Sequence, residues 1–282
     1  RYGVMRLSLI PGLIKNLLHN QRNQEKSILL FEQGTVFLGY KPEGKKPCPK
    51  ALFGTLDQDS FSVEKQKFSG VMLGKVPFQA FDQPPKDLDF YHLKGVLCEA
   101  LSTLGLSVQI LEQDVFFEDK NLLPYLHPKE ASSIVYGSDR LLLGHCGRLH
   151  PQVAQALEIA GNPYVFELDI EALSQVSEVV PRFKPFSRYP LIERDVAFVV
   201  DEEIKVGDIL KAALELDEAK LVHSINVFDI YRGKNLGADK KSVAVSMVLK
   251  REDRTLTDDE AENFVNAYVD VVKARLGAQV RQ

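Results

Sequence analysis

The sequence predicts an α+β protein of two domains, and three observations carry that prediction. Strand pairs joined by tight turns recur through the first part with helices interspersed, which is the pattern of an antiparallel sheet with helices packed on it. The stretch Val180-Pro181-Arg182-Phe183-Lys184-Pro185-Phe186-Ser187-Arg188-Tyr189-Pro190 holds three prolines and forbids regular structure. Beyond it the elements follow the order β-α-β-β-α-β. The predicted division is residues 1–180, a linker over 181–190, and a second domain over 191–282. A chain of 282 residues is long enough to bury a core in each.

Composition narrows the function classes. Apolar residues make up 45% and charged residues 26%, which predicts a soluble globular chain. Thirty-five Lys and Arg against 39 Asp and Glu leave a net charge of −4, so any grip on nucleic acid is local rather than spread over the surface. Cys48, Cys98 and Cys146 are odd in number and widely spaced. They make no disulfide framework and suit a reducing, cytoplasmic compartment. No apolar run reaches the length of a membrane span, and no secretory leader is read. The start at Arg1-Tyr2, without an initiator Met, predicts a segment of a longer protein.

In chain order, Pro11 to Leu18 is a short amphipathic helix with Leu13, Ile14, Leu17 and Leu18 on its apolar side. Those four residues serve either the core or a partner. Ser27 to Leu38 is predicted as a hairpin pivoting near Gln33-Gly34, and 41–50, rich in Lys, Pro and Gly, as a loop. Asp89 opens a helix carrying Leu93, Val96, Leu97, Leu101 and Leu104, stopped by Gly105. Val108–Leu111, Ser132–Tyr136 and Leu141–Gly144 are strands, the last two turning at Gly137-Ser138-Asp139. Pro151 stands at the first position of another helix, and Tyr164–Asp169 is a buried strand.

The second domain has sharper periodicities. Val196, Phe198 and Val200 alternate with Ala197 and Val199; Val206, Ile209, Leu210, Ala213 and Leu214 recur at helical spacing. Leu221–Tyr231 is a strand whose alternation breaks at Val227-Phe228, the sign of a bulge. Lys241–Leu249 alternates strictly. Thr257 and Glu260 form a capping box for a helix with the stripe Ala261, Phe264, Val265, Tyr268, Val272 and Leu276. Gly277 ends it, and Ala278–Arg281 is a last short strand. This is the ferredoxin-like order, with both helices on one sheet face.

Several runs carry a family resemblance. They are Met5-Arg6-Leu7-Ser8-Leu9-Ile10-Pro11-Gly12-Leu13, Leu30-Phe31-Glu32-Gln33-Gly34-Thr35-Val36-Phe37, Asp89-Phe90-Tyr91-His92-Leu93-Lys94-Gly95, and Tyr125-Leu126-His127-Pro128. Gly144-His145-Cys146-Gly147-Arg148-Leu149-His150-Pro151 and Phe166-Glu167-Leu168-Asp169 follow. Later come Tyr189-Pro190 with Arg194-Asp195, Phe228-Asp229-Ile230-Tyr231-Arg232-Gly233, Lys240-Lys241-Ser242 and Arg254-Thr255-Leu256-Thr257-Asp258. In order and spacing they resemble the C-terminal portion of the bacterial phenylalanyl-tRNA synthetase beta subunit, over nearly the whole chain.

The resemblance implies a class II synthetase-like first domain that has lost catalysis and a ferredoxin-like anticodon-binding second domain. It implies an enzyme of two alpha and two beta subunits that joins phenylalanine to tRNA(Phe) with ATP and Mg2+. The ATP and phenylalanine sites would lie in the alpha subunit, and the magnesium and editing sites of the beta subunit upstream of Arg1. No cofactor is expected in this segment.

The residues agree on catalysis. Class II chemistry needs arginines on the ATP phosphates and acidic residues on magnesium. Glu32 has no Arg before it, and Tyr164–Asp169 has neither the glycine-rich turn nor the arginine of the family's active relative. Glu32, Glu167 and Asp169 are therefore expected in structural roles. His145, Cys146 and His150 lack the fourth ligand of a zinc site. Cys98, among Leu97 and Leu101, is expected to act as a small hydrophobe. Gly233-Lys234-Asn235-Leu236-Gly237 is a hairpin tip and no phosphate loop.

The nucleic-acid signal is confined to one place. Tyr231, Arg232 and Lys234 close one strand, and Lys240, Lys241 and Ser242 open the next, so all six converge at one end of the sheet. Ser242 shares its face with Ala244 and Ser246, a floor of small residues on which a base would lie, with Tyr231 to stack on it. On composition alone, a lysine-rich hairpin kept soluble explains the same residues equally well. The resemblance favours binding, because Tyr231 and Ser242 fall where relatives touch the anticodon. Two other functions compete: an assembly element without significant RNA contact, and a free-standing class II-fold enzyme.

Overall fold

A computed structural model of the chain describes residues 5–40, 61–76, 84–108, 114–177, 188–216, 218–233, 236–237 and 239–281. The predicted 41–50 loop, most of the 181–190 linker, residues 109–111 of a predicted strand, Cys48 and Lys234 lie outside them.

The first compact unit contains α1 (Ile10–Arg22), β1 (Ile28–Tyr40), β2 (Phe61–Leu73), α2 (Phe90–Thr103), β3 (Val115–Glu118), β4 (Leu126–Tyr136), β5 (Leu141–Leu149), α3 (Pro151–Ala156), β6 (Tyr164–Asp169) and α4 (Ile170–Val176). Its six strands run in the order β1-β2-β6-β5-β4-β3, every neighbouring pair antiparallel. Period-2 alternation along β6 sends Tyr164, Phe166 and Leu168 to one face and Val165 to the other. The first face packs under Leu93, Leu97 and Leu101 of α2 and Leu173 of α4. The second packs under Ile10, Leu13, Ile14 and Leu17 of α1 and Ala154 of α3. Helix caps follow from sequence. The Asp89 carboxylate accepts from His92 N–H at 2.9 Å, and Gly105 takes φ +79° just beyond α2.

One predicted element is wrong. Residues 28–40 do not fold back at Gln33-Gly34; they form one strand of 13 residues that pairs with β2 from Ile28↔Leu73 to Tyr40↔Phe61. Gly34 answers a steric need instead of a turn. A Cβ there would overlap the Arg6 guanidinium, which donates to Thr35 O at 2.8 Å and pairs with Glu32 at 2.5 Å. The strands β4 and β5 extend well past their predicted cores, and β3 and α4 are additions to the sequence reading. Val96, expected on the apolar stripe of α2, is half exposed.

The second unit contains β7 (Ile192–Asp201), α5 (Val206–Lys211), a 3-10 turn (Ala212–Glu215), a second one (Ala219–Leu221), β8 (Val222–Tyr231), β9 (Lys240–Leu249), α6 (Asp258–Leu276) and β10 (Gln279–Val280). The order β10-β7-β9-β8, all antiparallel, is the ferredoxin-like sheet. The β8 register shifts between Val227 and Asp229, leaving Phe228 as the extra residue of the expected bulge. Val243, Val245, Met247 and Leu249 are fully buried against Phe264, Tyr268 and Val272 of α6 and Ile209 of α5. Inside this core the Tyr268 hydroxyl donates to Ile209 O at 2.8 Å, tying α6 to α5. Thr257 and Glu260 close the capping box, and Gly277 takes the left-handed C-cap at φ +63°.

Candidate RNA-binding site

The strand register sets the geometry of the site. Tyr231 on β8 pairs with Ser242 on β9, and Ser242 pairs with Val199 on β7, so the three share the sheet face away from α5 and α6. Ala197 and Ala244 form the next pair on that face. Tyr231 is 39% exposed, and its ring rests beside Gly233, where a Cβ would overlap the phenol. The Arg281 guanidinium lies 5.2 Å from the ring centroid, a cation–π distance worth about 0.5–1 kcal/mol at an exposed site.

The charges at this end are mostly matched. Arg232 holds Glu202 through Nε at 3.0 Å and Nη2 at 2.7 Å. That fork keeps the Glu202 carboxyl below its ordinary range. Lys240 pairs with Asp201 at 3.0 Å across β7–β9. Lys241 is buried, only 6% exposed, and its ammonium donates to Glu202 O at 2.7 Å. Ser242 is 3% exposed. The expectation of an exposed hairpin with an open floor is therefore corrected. Tyr231 and Arg232 are accessible, Lys240 is half-buried, and Lys241 and Ser242 are enclosed. Lys241 belongs to the Val243 face by alternation, and its stem continues the core edge while the ammonium turns to a backbone carbonyl. Away from this end the same face is acidic, with Glu193, Asp195 and Asp229, and Glu193 accepts from Ser246 at 2.9 Å.

In the first unit, the candidate carboxylates bind the fold together. Glu167 Oε2 accepts from Ser8 Oγ at 2.9 Å, Leu9 N–H at 2.9 Å and Ser69 Oγ at 2.8 Å, joining the start of α1 to β2 and β6. Asp169 caps α4 through Ala172 N–H at 3.0 Å and pairs with Lys67 at 2.9 Å. Burial alone would raise the Asp169 carboxyl, but the Ala172 N–H and the Lys67 ammonium outweigh it and hold the group below its usual value. Glu32 pairs with Arg6. His145 Nε2 faces Asn121 O at 3.0 Å, and burial lowers its pKa. His150 Nδ1 caps α3 by accepting from Gln152 N–H at 3.2 Å. Cys146 is buried in the α2-side core, which pushes its thiol up to about 12. Among the described residues, no three His, Cys, Asp or Glu side chains converge as metal ligands.

Comparison with known proteins accounts for both units. Residues 1–170 match the model of the phenylalanyl tRNA synthetase beta chain CLM domain, and residues 187–281 match the ferredoxin-fold anticodon binding domain. The chain belongs to the phenylalanyl-tRNA synthetase beta chain family. It is 33% identical over 280 residues to the phenylalanine–tRNA ligase beta subunit of Moorella thermoacetica. It is 30% identical over 279 residues to that of Carboxydothermus hydrogenoformans. Each comparison covers 99% of this chain and 32% of the relative, so the chain spans about a third of their length. A solved pyrrolysyl tRNA synthetase from Desulfitobacterium hafniense is similar over 61% of this chain and 49% of its own, at 16% identity and a TM-score of 0.39.

For this beta chain segment, the sequence placed Tyr231 and Ser242 at one end of the sheet, and the strand register adds that they share a face. It missed Arg281 and Gly233 as parts of the Tyr231 environment. Arg281 lies 50 positions further along the chain, and only the β10–β7 pairing reveals that it reaches the same face. Gly233 had a local signal, a glycine two residues after an aromatic strand end, read only as part of a hairpin tip. The acidic partners Asp201 and Glu202 were legible as charges, but their matching to Lys240 and Arg232 depends on the register.

Proposed function

We propose that this chain is the part of a phenylalanine–tRNA ligase beta subunit that contacts the anticodon region of tRNA(Phe) through its second domain. Its first domain binds the alpha subunit in an assembly of two alpha and two beta subunits, in the cytoplasm. ATP and Mg2+ serve the assembled enzyme, and this segment holds neither. The observation that carries the RNA reading is the exposed Tyr231 ring on the helix-free sheet face, paired in register with Ser242. An aromatic ring presented on a sheet is a stacking platform for an unpaired base. Tyr231, Arg232, Lys234, Lys240, Lys241 and Ser242 remain the proposed contact set, with Lys241 and Ser242 acting from enclosed positions.

The first domain is read as non-catalytic. Its strand carboxylates are committed to Arg6, to Lys67, and to the Ser8, Leu9 and Ser69 donors, which supports a scaffold rather than a metal-assisted adenylation site. The assembly-only alternative draws its support from the matched charges Arg232–Glu202 and Lys240–Asp201 and from the acidic floor.

Two assays test the reading of the first domain. The purified chain, without alpha subunit, is expected to give no phenylalanine-dependent exchange of pyrophosphate into ATP. It is expected to co-elute with added alpha subunit on size exclusion. Robust exchange by the chain alone would overturn the scaffold reading. Absence of co-elution, both for this chain and for the complete beta subunit, would overturn the assembly role.

A further inference from the structure

Arg281 follows β10, and its backbone N–H bonds to Ala197 O at 2.9 Å, which seats it beside β7. Its guanidinium nevertheless lies over the Tyr231 ring on β8. In the sheet order β10-β7-β9-β8, β9 separates those two strands. The Arg281 side chain therefore crosses the sheet face, over a floor where Ala197, Ala244 and Ser242 offer no bulk. Ser242, on that floor, is 3% exposed. Arg232 and Lys240 at the same end each hold a carboxylate. Arg281 differs: among the described residues no carboxylate pairs with it, and its charge rests on an aromatic ring.

We propose that Arg281 is a displaceable cover on the Tyr231 ring that becomes a phosphate contact when RNA binds. This rests on the reading of the Tyr231 end as an RNA site. A stacking base and the guanidinium compete for the same ring face. The base supplies the larger π surface, and the strand that carries it brings phosphates, the counter-charge that no described carboxylate gives Arg281. Arg281 is thus the mobile cation of the site, next to neighbours whose charges are already matched.

The test is binding of a synthetic RNA hairpin carrying the phenylalanine anticodon loop, measured by fluorescence anisotropy at about 50 and about 200 mM salt. Wild type, Arg281→Gln, Arg281→Lys and Tyr231→Ala are compared, with thermal melts to confirm folding. Loss of one phosphate contact lowers the salt slope, so Arg281→Gln is expected to lose about threefold less affinity than wild type over that salt range. Arg281→Lys is expected to keep the wild-type slope. Tyr231→Ala is expected to weaken binding about tenfold with the slope unchanged. If Tyr231→Ala weakens binding while Arg281→Gln keeps the wild-type slope, the Arg281 inference fails and the RNA site stands. If wild type itself does not bind the hairpin, the RNA reading fails and the inference with it.

Discussion

The Tyr231 phenol occupies the space that a side chain at Gly233 would need. The glycine is therefore a steric condition for the ring's position, two residues after the end of β8. Gly233→Ala is expected to push the ring away from Gly233 rather than break the fold, because the colliding atoms belong to the far end of a side chain. The melting temperature should stay close to wild type while affinity for an anticodon hairpin falls. Equal affinity in the variant would show that the ring's seat beside Gly233 has no bearing on binding.

Lys241 behaves differently from Lys240. Its buried stem and its 2.7 Å bond to Glu202 O make it part of the domain's structure. Lys241→Ala is expected to cost about 1–3 kcal/mol in urea unfolding, from the lost charged hydrogen bond and the lost packing of the stem. Lys240→Ala breaks an exposed pair with Asp201 and should change stability by less than about 1 kcal/mol. Equal effects of the two substitutions would contradict this division.

Glu167 concentrates three donors on one oxygen, and Ser69 beneath it is fully buried. Glu167→Ala leaves those donors without their acceptor and is expected to destabilise the first domain by about 2–3 kcal/mol. The measurement is denaturant unfolding followed by circular dichroism. A variant as stable as wild type would contradict the structural role of Glu167.

Asp169 gives a pH signature. Its folded carboxyl lies below the ordinary value of 3.8, so its charge contributes stability above that value and loses it as pH falls through the folded pKa. Asp169→Asn keeps a capping side chain and removes the negative charge that faces Lys67. The stability difference between wild type and the variant is expected to be present at about pH 6, on the order of 1 kcal/mol for a partly buried pair, and to shrink as pH falls below 3.8 through the folded pKa. A difference that grows on acidification would reverse the assigned sign.

Much of this fold was legible because its signals were local. The capping box Thr257–Glu260, the C-cap Gly277, the strict alternation of β9 and the bulge at Val227–Asp229 each depend on residues a few positions apart. The β1 error came from reading a glycine by its turn propensity. The structure uses Gly34 to admit the guanidinium of Arg6, a contact 28 positions away in sequence that no local pattern encodes. The candidate site divides along the same line. Tyr231 and Ser242 could be placed at one end of the sheet from the short connection between their strands. The burial of Lys241, the matching of Arg232 to Glu202, and the arrival of Arg281 from β10 all depend on which strands are neighbours.

The most direct measurement of the central claim is the affinity of the chain for two RNA hairpins that differ only in the anticodon, one of phenylalanine tRNA and one swapped. Wild type and Tyr231→Ala are titrated side by side at one salt concentration. The account predicts that wild type prefers the phenylalanine anticodon. It also predicts that Tyr231→Ala loses about 1–3 kcal/mol of binding to that hairpin, the usual loss for one base–aromatic stack. Tyr231→Ala binding both hairpins as tightly as wild type would contradict it.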